Sequence, residues 1–177
     1  MFKVMGWDLE KVGVLDGGFV KFSFEYPEHI DATVLTDDQL YLQSPLNENY
    51  NFAPRTELVK DLKDIVNNLD TKENMVVDAR PAARFLGKAP EPRPGIQSGH
   101  MPNSVSIPFT EVLTSNATLK SPEEIKKIYS DRNIDITNES GPAIISSCGS
   151  GVSAAVLDFA LYSSGNILQL CHSFLPS

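Results

Sequence analysis

The chain has 177 residues, and its 41% hydrophobic content suffices for one domain, or for one domain with an appendage. Its 15 basic and 23 acidic residues give a formal net charge of −8 without any basic cluster, which argues against direct binding of nucleic acid. No apolar run reaches membrane-spanning length, no signal peptide is recognisable, and two cysteines are too few for a disulfide framework. We therefore expect a protein of a reducing, intracellular compartment without a membrane partner.

The N-terminal part of the chain predicts little regular structure. Residues 12–15 are apolar and precede a glycine turn, which is typical of a short buried strand, and residues 19–24 favour a helix. Residues 26–51 are polar, contain two prolines and show no sustained hydrophobic period. They predict a linker.

The next hundred residues alternate between helical and strand patterns. A helix should begin at Thr56, because apolar residues then recur at helical spacing, namely Leu58, Leu62, Ile65, Val66 and Leu69. Short apolar runs at 75–78, 105–107 and 143–147 predict three strands. Nearly continuous apolar strands that alternate with helices indicate an α/β fold with a parallel sheet.

Two further helices have recognisable starts. Ser121 and Glu124 form a capping box with Pro122 at the first helical position, so a helix should run to about Ser130. Another helix is predicted for residues 150–162.

Cys148 is the most informative residue of the sequence. It follows the third strand and precedes a glycine-rich turn and a helix, so unpaired backbone N–H groups should converge on its sulfur and favour the thiolate. A merely buried strand-end cysteine is the alternative. Asp78 and Arg80 also follow a strand, and carboxyl ends of parallel strands share a ligand crevice. The sequence therefore predicts one site at this edge of the sheet.

These motifs, in this order, resemble the rhodanese superfamily and, more narrowly, the 3-mercaptopyruvate sulfurtransferases. The resemblance extends from Asp78 to about Ala160 and is carried by residues 77–80, 84–85, 90–93, 95–96, 98–104, 107–109 and 148–153. It implies a rhodanese-like α/β fold, in which helices flank a parallel sheet.

The resemblance also implies domain boundaries. Residues 1–25 match a remnant of an N-terminal rhodanese-like domain, residues 26–52 a linker, and residues 53–177 the catalytic domain. The family continues after its catalytic helix with a strand, an Asp-Gly-Ser-Trp turn and a last helix, and residues 165–177 lack that turn. We therefore expect a C-terminally incomplete domain without the last strand and helix. Residues 12–15 are an alternative occupant of that strand position, and an exposed sheet edge would permit a homodimer.

The chemistry that the resemblance implies is sulfur transfer through a persulfide on Cys148, with no cofactor or metal. Ser150 is implied as a second catalytic residue that polarises the departing thiol or holds a keto oxygen, although it could simply cap the helix. The implied acceptor is a thiol, such as thioredoxin or a small thiol, and the implied location is the cytoplasm or the mitochondrion.

Donor binding is implied for Arg84, Arg93, Gly149, Gly151, Val152 and Ser153. The loop after Cys148 is uncharged, which suits 3-mercaptopyruvate with its single carboxylate better than dianionic thiosulfate. Each arginine could instead be a surface charge or pin a loop through a salt bridge. Thiosulfate transfer and an inactive binding module are the alternative functions.

Several other residues invite a functional reading that we do not favour. Arg80 should anchor its loop, and His100 should pin a turn rather than act as a base. Cys171 could resolve an oxidised Cys148, but a passive thiol is the simpler interpretation. A cysteine-dependent phosphatase needs an arginine six residues after the cysteine, where this chain has Ala154.

Overall fold

The computed structural model describes residues 3–34, 36, 53–138, 140–166 and 170–173. The chain divides into two compact units, Met1–Arg55 and Thr56–Ser177. The interpretation of residues 1–25 as a domain remnant stays a prediction.

The described residues of the first unit include one α-helix, α1 (Gly18–Glu25), and 3-10 turns at Leu9–Lys11 and Pro27–His29. The predicted helix at 19–24 is therefore confirmed. The predicted strand at 12–15 is wrong, since these residues are irregular and the side chains of Val14 and Leu15 are about three-fifths exposed. A strand needs a hydrogen-bonded partner and a covered face, and a short apolar run supplies neither by itself. Most of the predicted linker lies outside the described residues.

The second unit is an α/β domain. Its strands are β1 (Val59–Lys60), β2 (Met75–Asp78), β3 (Ser104–Ser106), β4 (Ile144–Ser147) and β5 (Leu170–Ser173). Its α-helices are α2 (Leu62–Thr71), α3 (Ala82–Phe85), α4 (Pro122–Ser130) and α5 (Val152–Ser163), with 3-10 turns at Thr56–Leu58 and Phe109–Val112.

The five strands form one parallel sheet in the order β1-β5-β4-β2-β3, which confirms the predicted fold class. Strands β2 and β4 are neighbours, and Asp78 at the end of β2 pairs with Ser147 at the end of β4. The strand that follows β2 lies on one side of this pair, and the strand that follows β4 lies on the other. Such a divergence opens a crevice beyond the carboxyl ends, where α/β proteins bind ligands.

Strand β5 corrects the expectation that the last strand is missing. It lies between β1 and β4, with Leu170 opposite Ile144 and His172 opposite Val59. Main-chain hydrogen bonds pair a strand whatever turn follows it, so the absent turn motif gave no reason to expect an absent strand. Because β5 occupies this position, the alternative that residues 12–15 fill it is also wrong.

Helix starts follow local capping chemistry. The expected start at Thr56 is wrong, because a 3-10 turn and β1 come first and α2 begins after Asp61. The Asp61 carboxylate accepts a hydrogen bond from the Asp64 N–H at 2.9 Å, and the Asp64 carboxylate accepts one from the Asp61 N–H at 3.0 Å. The predicted capping box of α4 is confirmed. The Glu124 N–H donates to Ser121 Oγ at 3.3 Å, and the Ser121 N–H donates to the Glu124 carboxylate at 3.0 Å.

Apolar side chains cover both faces of the sheet. On one face Val77 and Ile144 pack with Tyr129 of α4 and Leu157 of α5. On the other face a smaller cluster joins Val76 and Ile145 to Ile65 of α2. The two central strands are thus fixed from both sides, and the segments that follow them start from rigid positions.

Candidate active site

The sulfur of Cys148 lies directly beyond the end of β4 and accepts two backbone hydrogen bonds. The Gly151 N–H donates at 2.9 Å and the Ser150 N–H at 3.4 Å. The cysteine is half-buried, so its sulfur is held by the protein while it stays accessible. Two N–H donors and the adjoining N-terminus of α5 together favour negative charge on this sulfur.

Gly151 makes this geometry possible. It precedes α5 with φ of 83°, in the left-handed region that side chains other than glycine rarely adopt. That conformation turns the chain from the loop into the helix and directs the Gly151 N–H at the sulfur. The order strand, cysteine, glycine and helix therefore places main-chain N–H donors at the cysteine sulfur.

A cleft of about 820 Å³ opens in front of Cys148. The loop after β4 forms one wall, and the segment between β2 and β3 forms the other. The second wall includes apolar side chains from Pro92, Ile96 and Met101. Charged side chains line the cleft beside the sulfur, and they are Asp78, Arg80, Arg84, Glu91 and Arg93.

Arg80 anchors the wall, in line with its sequence interpretation. Its Nε lies 3.0 Å from both carboxylate oxygens of Asp78, a side chain that is 2% exposed. Its other donors reach Glu91 Oε1 at 2.9 Å and the Gly99 carbonyl at 2.7 Å. With its donors committed to the protein, Arg80 ties β2 to the opposite end of the wall.

Arg84 lines the cleft but also pairs with Glu91. Its Nε donates to Glu91 Oε1 at 3.1 Å, and its Nη2 donates to Glu91 Oε2. The same Nη2 would lie 3.1 Å from a Cβ built at Gly149, so the guanidinium rests against the cysteine loop. Both sequence interpretations of Arg84 thus have a physical basis, because it pins a loop and borders the cleft.

The remaining predicted site residues fall into two groups. Arg93, Gly149, Ser150 and Ser153 line the cleft, and Arg93 forms no ion pair with any residue that the structure describes. Gly151 contributes its N–H to the sulfur from outside the cleft lining. Val152 lies outside that lining, and its side chain is 71% exposed at the first position of α5. A role for Val152 in donor binding therefore has no support from its position.

His100 pins a turn, as its sequence context indicated. Its Nδ1 lies 2.8 Å from the carbonyl oxygen of Phe85 and must donate, because a carbonyl only accepts. Its ring stacks on the Phe85 ring at a centroid distance of 4.0 Å. Cys171 lies in β5, and its side chain is outside the described part.

Sequence reasoning assigned no role to Glu91. Its side chain is 4% exposed, and it bridges Arg80 and Arg84. Hydrogen bonding from Arg84, followed by the positive charges of Arg84 and Arg80, lowers the pKa of Glu91 against the opposing effect of burial. One acidic residue among three arginines within residues 80–93 was the available signal.

Two negative findings apply to the described residues. They contain no group of three or more His, Cys, Asp or Glu side chains placed to hold a metal ion. In the same ranges we find no helix with the length and apolar character needed to cross a bilayer.

Comparison with known proteins identifies the relatives of this chain. A scan against protein-family models finds no match. Mouse 3-mercaptopyruvate sulfurtransferase is 49% identical over 154 residues, which are 87% of this chain and 47% of the relative. Arabidopsis thaliana thiosulfate/3-mercaptopyruvate sulfurtransferase 1, mitochondrial, is 36% identical over 93% of this chain and 45% of the relative. The chain thus spans about half the length of the curated relatives it matches.

Solved structures give the same result. The sulfur transferase subunit of yeast mitochondrial complex I is 32% identical, with a TM-score of 0.73 over 97% of this chain and 59% of that one. SseA from Escherichia coli, described with the rhodanese fold of 3-mercaptopyruvate sulfotransferases, is 29% identical, with a TM-score of 0.58 over 72% of this chain and 45% of that one. Fold, cysteine loop and relatives agree, and the chain belongs to the rhodanese superfamily, with 3-mercaptopyruvate sulfurtransferases among its relatives.

Proposed function

We propose that this chain carries the catalytic site of a sulfurtransferase that moves sulfur from 3-mercaptopyruvate to a thiol through a persulfide on Cys148. The observation that carries the proposal is the pair of N–H groups held 2.9 and 3.4 Å from the sulfur, which favours both a thiolate and a persulfide anion. The names and identities of the relatives support the same reaction class.

In the first half-reaction the Cys148 thiolate attacks the sulfur of the donor. A sulfur–sulfur bond forms, the donor carbon–sulfur bond breaks, and its electron pair leaves with the carbon as pyruvate enolate. The transferred sulfur releases its proton to solvent, and the enolate carbon takes up one proton from solvent. The products are the Cys148 persulfide anion and pyruvate. Ser150, at the mouth of the loop, is our candidate for holding the keto oxygen as this charge develops.

In the second half-reaction an acceptor thiol attacks the outer sulfur of the persulfide. The sulfur–sulfur bond to Cys148 breaks, and the products are the acceptor persulfide and the Cys148 thiolate. We expect thioredoxin or a small thiol as the acceptor and a cytoplasmic or mitochondrial location, and one relative carries "mitochondrial" in its name. Dimer formation through a sheet edge stays a prediction.

The charges of the cleft favour a donor with a single carboxylate. Arg93 borders the cleft without an ion pair to any described residue, and the loop from Gly149 to Ser153 has no charged side chain. One guanidinium suffices to hold one carboxylate in a bidentate pair. Thiosulfate has two negative charges and no keto oxygen, so the single guanidinium of Arg93 and the hydroxyl of Ser150 suit it less well.

The test is to incubate the whole chain with 3-mercaptopyruvate and dithiothreitol and measure sulfide release. In a parallel incubation without dithiothreitol, which would discharge the persulfide, the persulfide on Cys148 is measured by mass spectrometry. We expect both, and neither in Cys148→Ser. A higher kcat/KM for thiosulfate would overturn the donor assignment. Folded protein that forms no persulfide from either donor would overturn the enzymatic proposal in favour of a binding module.

A further inference from the structure

Glu91 occupies an unusual position for a carboxylate near a site that binds anions. Its side chain is 4% exposed, lines the cleft and contacts two arginines, Arg80 at 2.9 Å and Arg84 through both carboxylate oxygens. A buried carboxylate is stable only when such partners compensate its charge. In return, it cancels part of the positive charge that the arginines bring to the cleft.

The charge balance of the cleft follows from its lining. Among the side chains other than Cys148, three arginines, Arg80, Arg84 and Arg93, stand against two carboxylates, Asp78 and Glu91, which leaves one positive charge. The charge on the Cys148 sulfur is the same for every donor and is left out of this balance. Asp78 compensates Arg80 and Glu91 compensates Arg84, so the remaining charge belongs to Arg93. A bound donor therefore meets the field of about one cation, although three lie within the site.

We propose that Glu91 determines which donors this site accepts, by limiting the cleft to one net positive charge and so disfavouring dianions. This inference deepens the proposed function and rests on it. Glu91 acts through Arg84 and Arg80, which makes it a positioning and specificity-determining residue, with no contact to the reacting sulfur.

The size of the effect follows from Coulomb's law. One unit of charge about 6 Å from a ligand charge contributes a factor of roughly 100 to the binding constant at an effective dielectric constant of about 20. A dianion feels this contribution twice and a monoanion once, so removal of the Glu91 charge helps the dianion more. Solvent in the open cleft reduces the difference, and we expect a relative change of about tenfold, or about 1.4 kcal/mol.

The first experiment compares donors in Glu91→Gln, which removes the charge and keeps an oxygen that accepts from Arg84. The ratio of kcat/KM for thiosulfate to kcat/KM for 3-mercaptopyruvate should rise about tenfold over wild type. The matched control is Glu111→Gln, because Glu111 also pairs with an arginine, Arg132 at 2.5 Å, but lies outside the cleft lining. That variant should leave the ratio unchanged. An equal loss with both donors in Glu91→Gln would overturn the proposal and indicate a purely structural role.

A second experiment needs no sulfur transfer and so separates this inference from the proposed function. Alkylation of Cys148 by iodoacetate, a monoanion, is compared with alkylation by neutral iodoacetamide, and the Cys148 peptide is followed by mass spectrometry. The iodoacetate-to-iodoacetamide rate ratio should rise severalfold in Glu91→Gln. An unchanged ratio in this variant overturns the inference even if wild type is a working sulfurtransferase.

Arg93→Gln makes the inference testable should Glu91→Gln fail to fold. If Glu91 compensates Arg84, this variant has no net charge left among the arginines and carboxylates of the cleft, and its iodoacetate-to-iodoacetamide rate ratio should equal that of a free neutral thiol, 2-mercaptoethanol. If Glu91 does not compensate Arg84, one positive charge remains and the ratio stays above that of 2-mercaptoethanol, which contradicts the inference.

Discussion

The two strand ends that border the cleft hold charge by different means. Beyond β4, the main-chain N–H groups of Ser150 and Gly151 donate to the Cys148 sulfur, and the loop from Gly149 to Ser153 contains no charged side chain. Beyond β2, charge is held by ion pairs in which Asp78 and Glu91 bind Arg80 and Arg84. The main-chain dipoles are fixed by the backbone conformation, whereas a side-chain charge can be changed by a single substitution. Under the proposed function, the β4 end would govern reactivity and the β2 end would govern which anion binds.

The strongest test of this division is Cys148→Ser. A serine hydroxyl is too weak a nucleophile at neutral pH to replace the thiolate, so sulfur transfer should fall at least about 1000-fold. The β2 end is untouched, so the variant should still bind 3-mercaptopyruvate, as measured by calorimetry. Loss of binding together with turnover would mean that the two ends do not act separately.

Gly151→Ala should impair the main-chain donors. At φ of 83° an alanine costs about 1–2 kcal/mol, and relaxation of this strain moves the N–H away from the sulfur. We expect kcat to fall about tenfold and Tm to fall by several degrees.

Gly95→Ala is the matched control for this strain. Gly95 has φ of 82° and an added Cβ there meets open space, so the backbone cost should be similar. Its Tm should fall by a comparable amount while kcat stays within about twofold of wild type. An equal loss of kcat in both variants would contradict the role assigned to the Gly151 N–H.

Arg93→Gln probes the β2 end alone. Removal of the uncompensated cation should raise the KM for 3-mercaptopyruvate about tenfold and leave kcat within about twofold, because the sulfur and its N–H donors are unaltered. Lys126→Gln, on α4 away from the cleft, is the charge-matched control and should change neither constant. A fall in kcat alone would place Arg93 in the chemical step.

The smallest expected effect is the acid dependence of stability. The pKa of Glu91 is held below its ordinary value of 4.5 by hydrogen bonds from Arg84 and by the charges of Arg84 and Arg80. Its contribution to stability is therefore complete above that value and is lost as the pH falls through the lower pKa of the folded state. The Tm difference between wild type and Glu91→Gln should shrink between about pH 7 and pH 3. A constant difference would contradict this ionisation.

What the sequence predicts and what it misses have physical reasons. The strands β2 and β4 and the capping box of α4 depend on neighbouring residues, so their patterns are visible in the chain. The two-residue strand β1 exists only because β5 pairs with it, and no local pattern indicates that partnership. The same holds for Glu91, whose role arises from two arginines that the fold brings to it. Local propensity therefore locates the candidate nucleophile, and tertiary contacts determine its surroundings.

The outer wall of the cleft has a consequence for how such a site can change. Its anchors lie near its two ends, where Arg80 holds the Gly99 carbonyl, His100 holds the Phe85 carbonyl, and Ser98 Oγ lies 3.2 Å from the Ala89 carbonyl. The stretch at 94–97 between them is exposed and belongs to no helix or strand. Insertions or exchanges there would leave the sheet and the thiol in place while they reshape the entrance for a second reactant. New acceptors are thus accessible to evolution, or to an engineer, by grafting a surface loop.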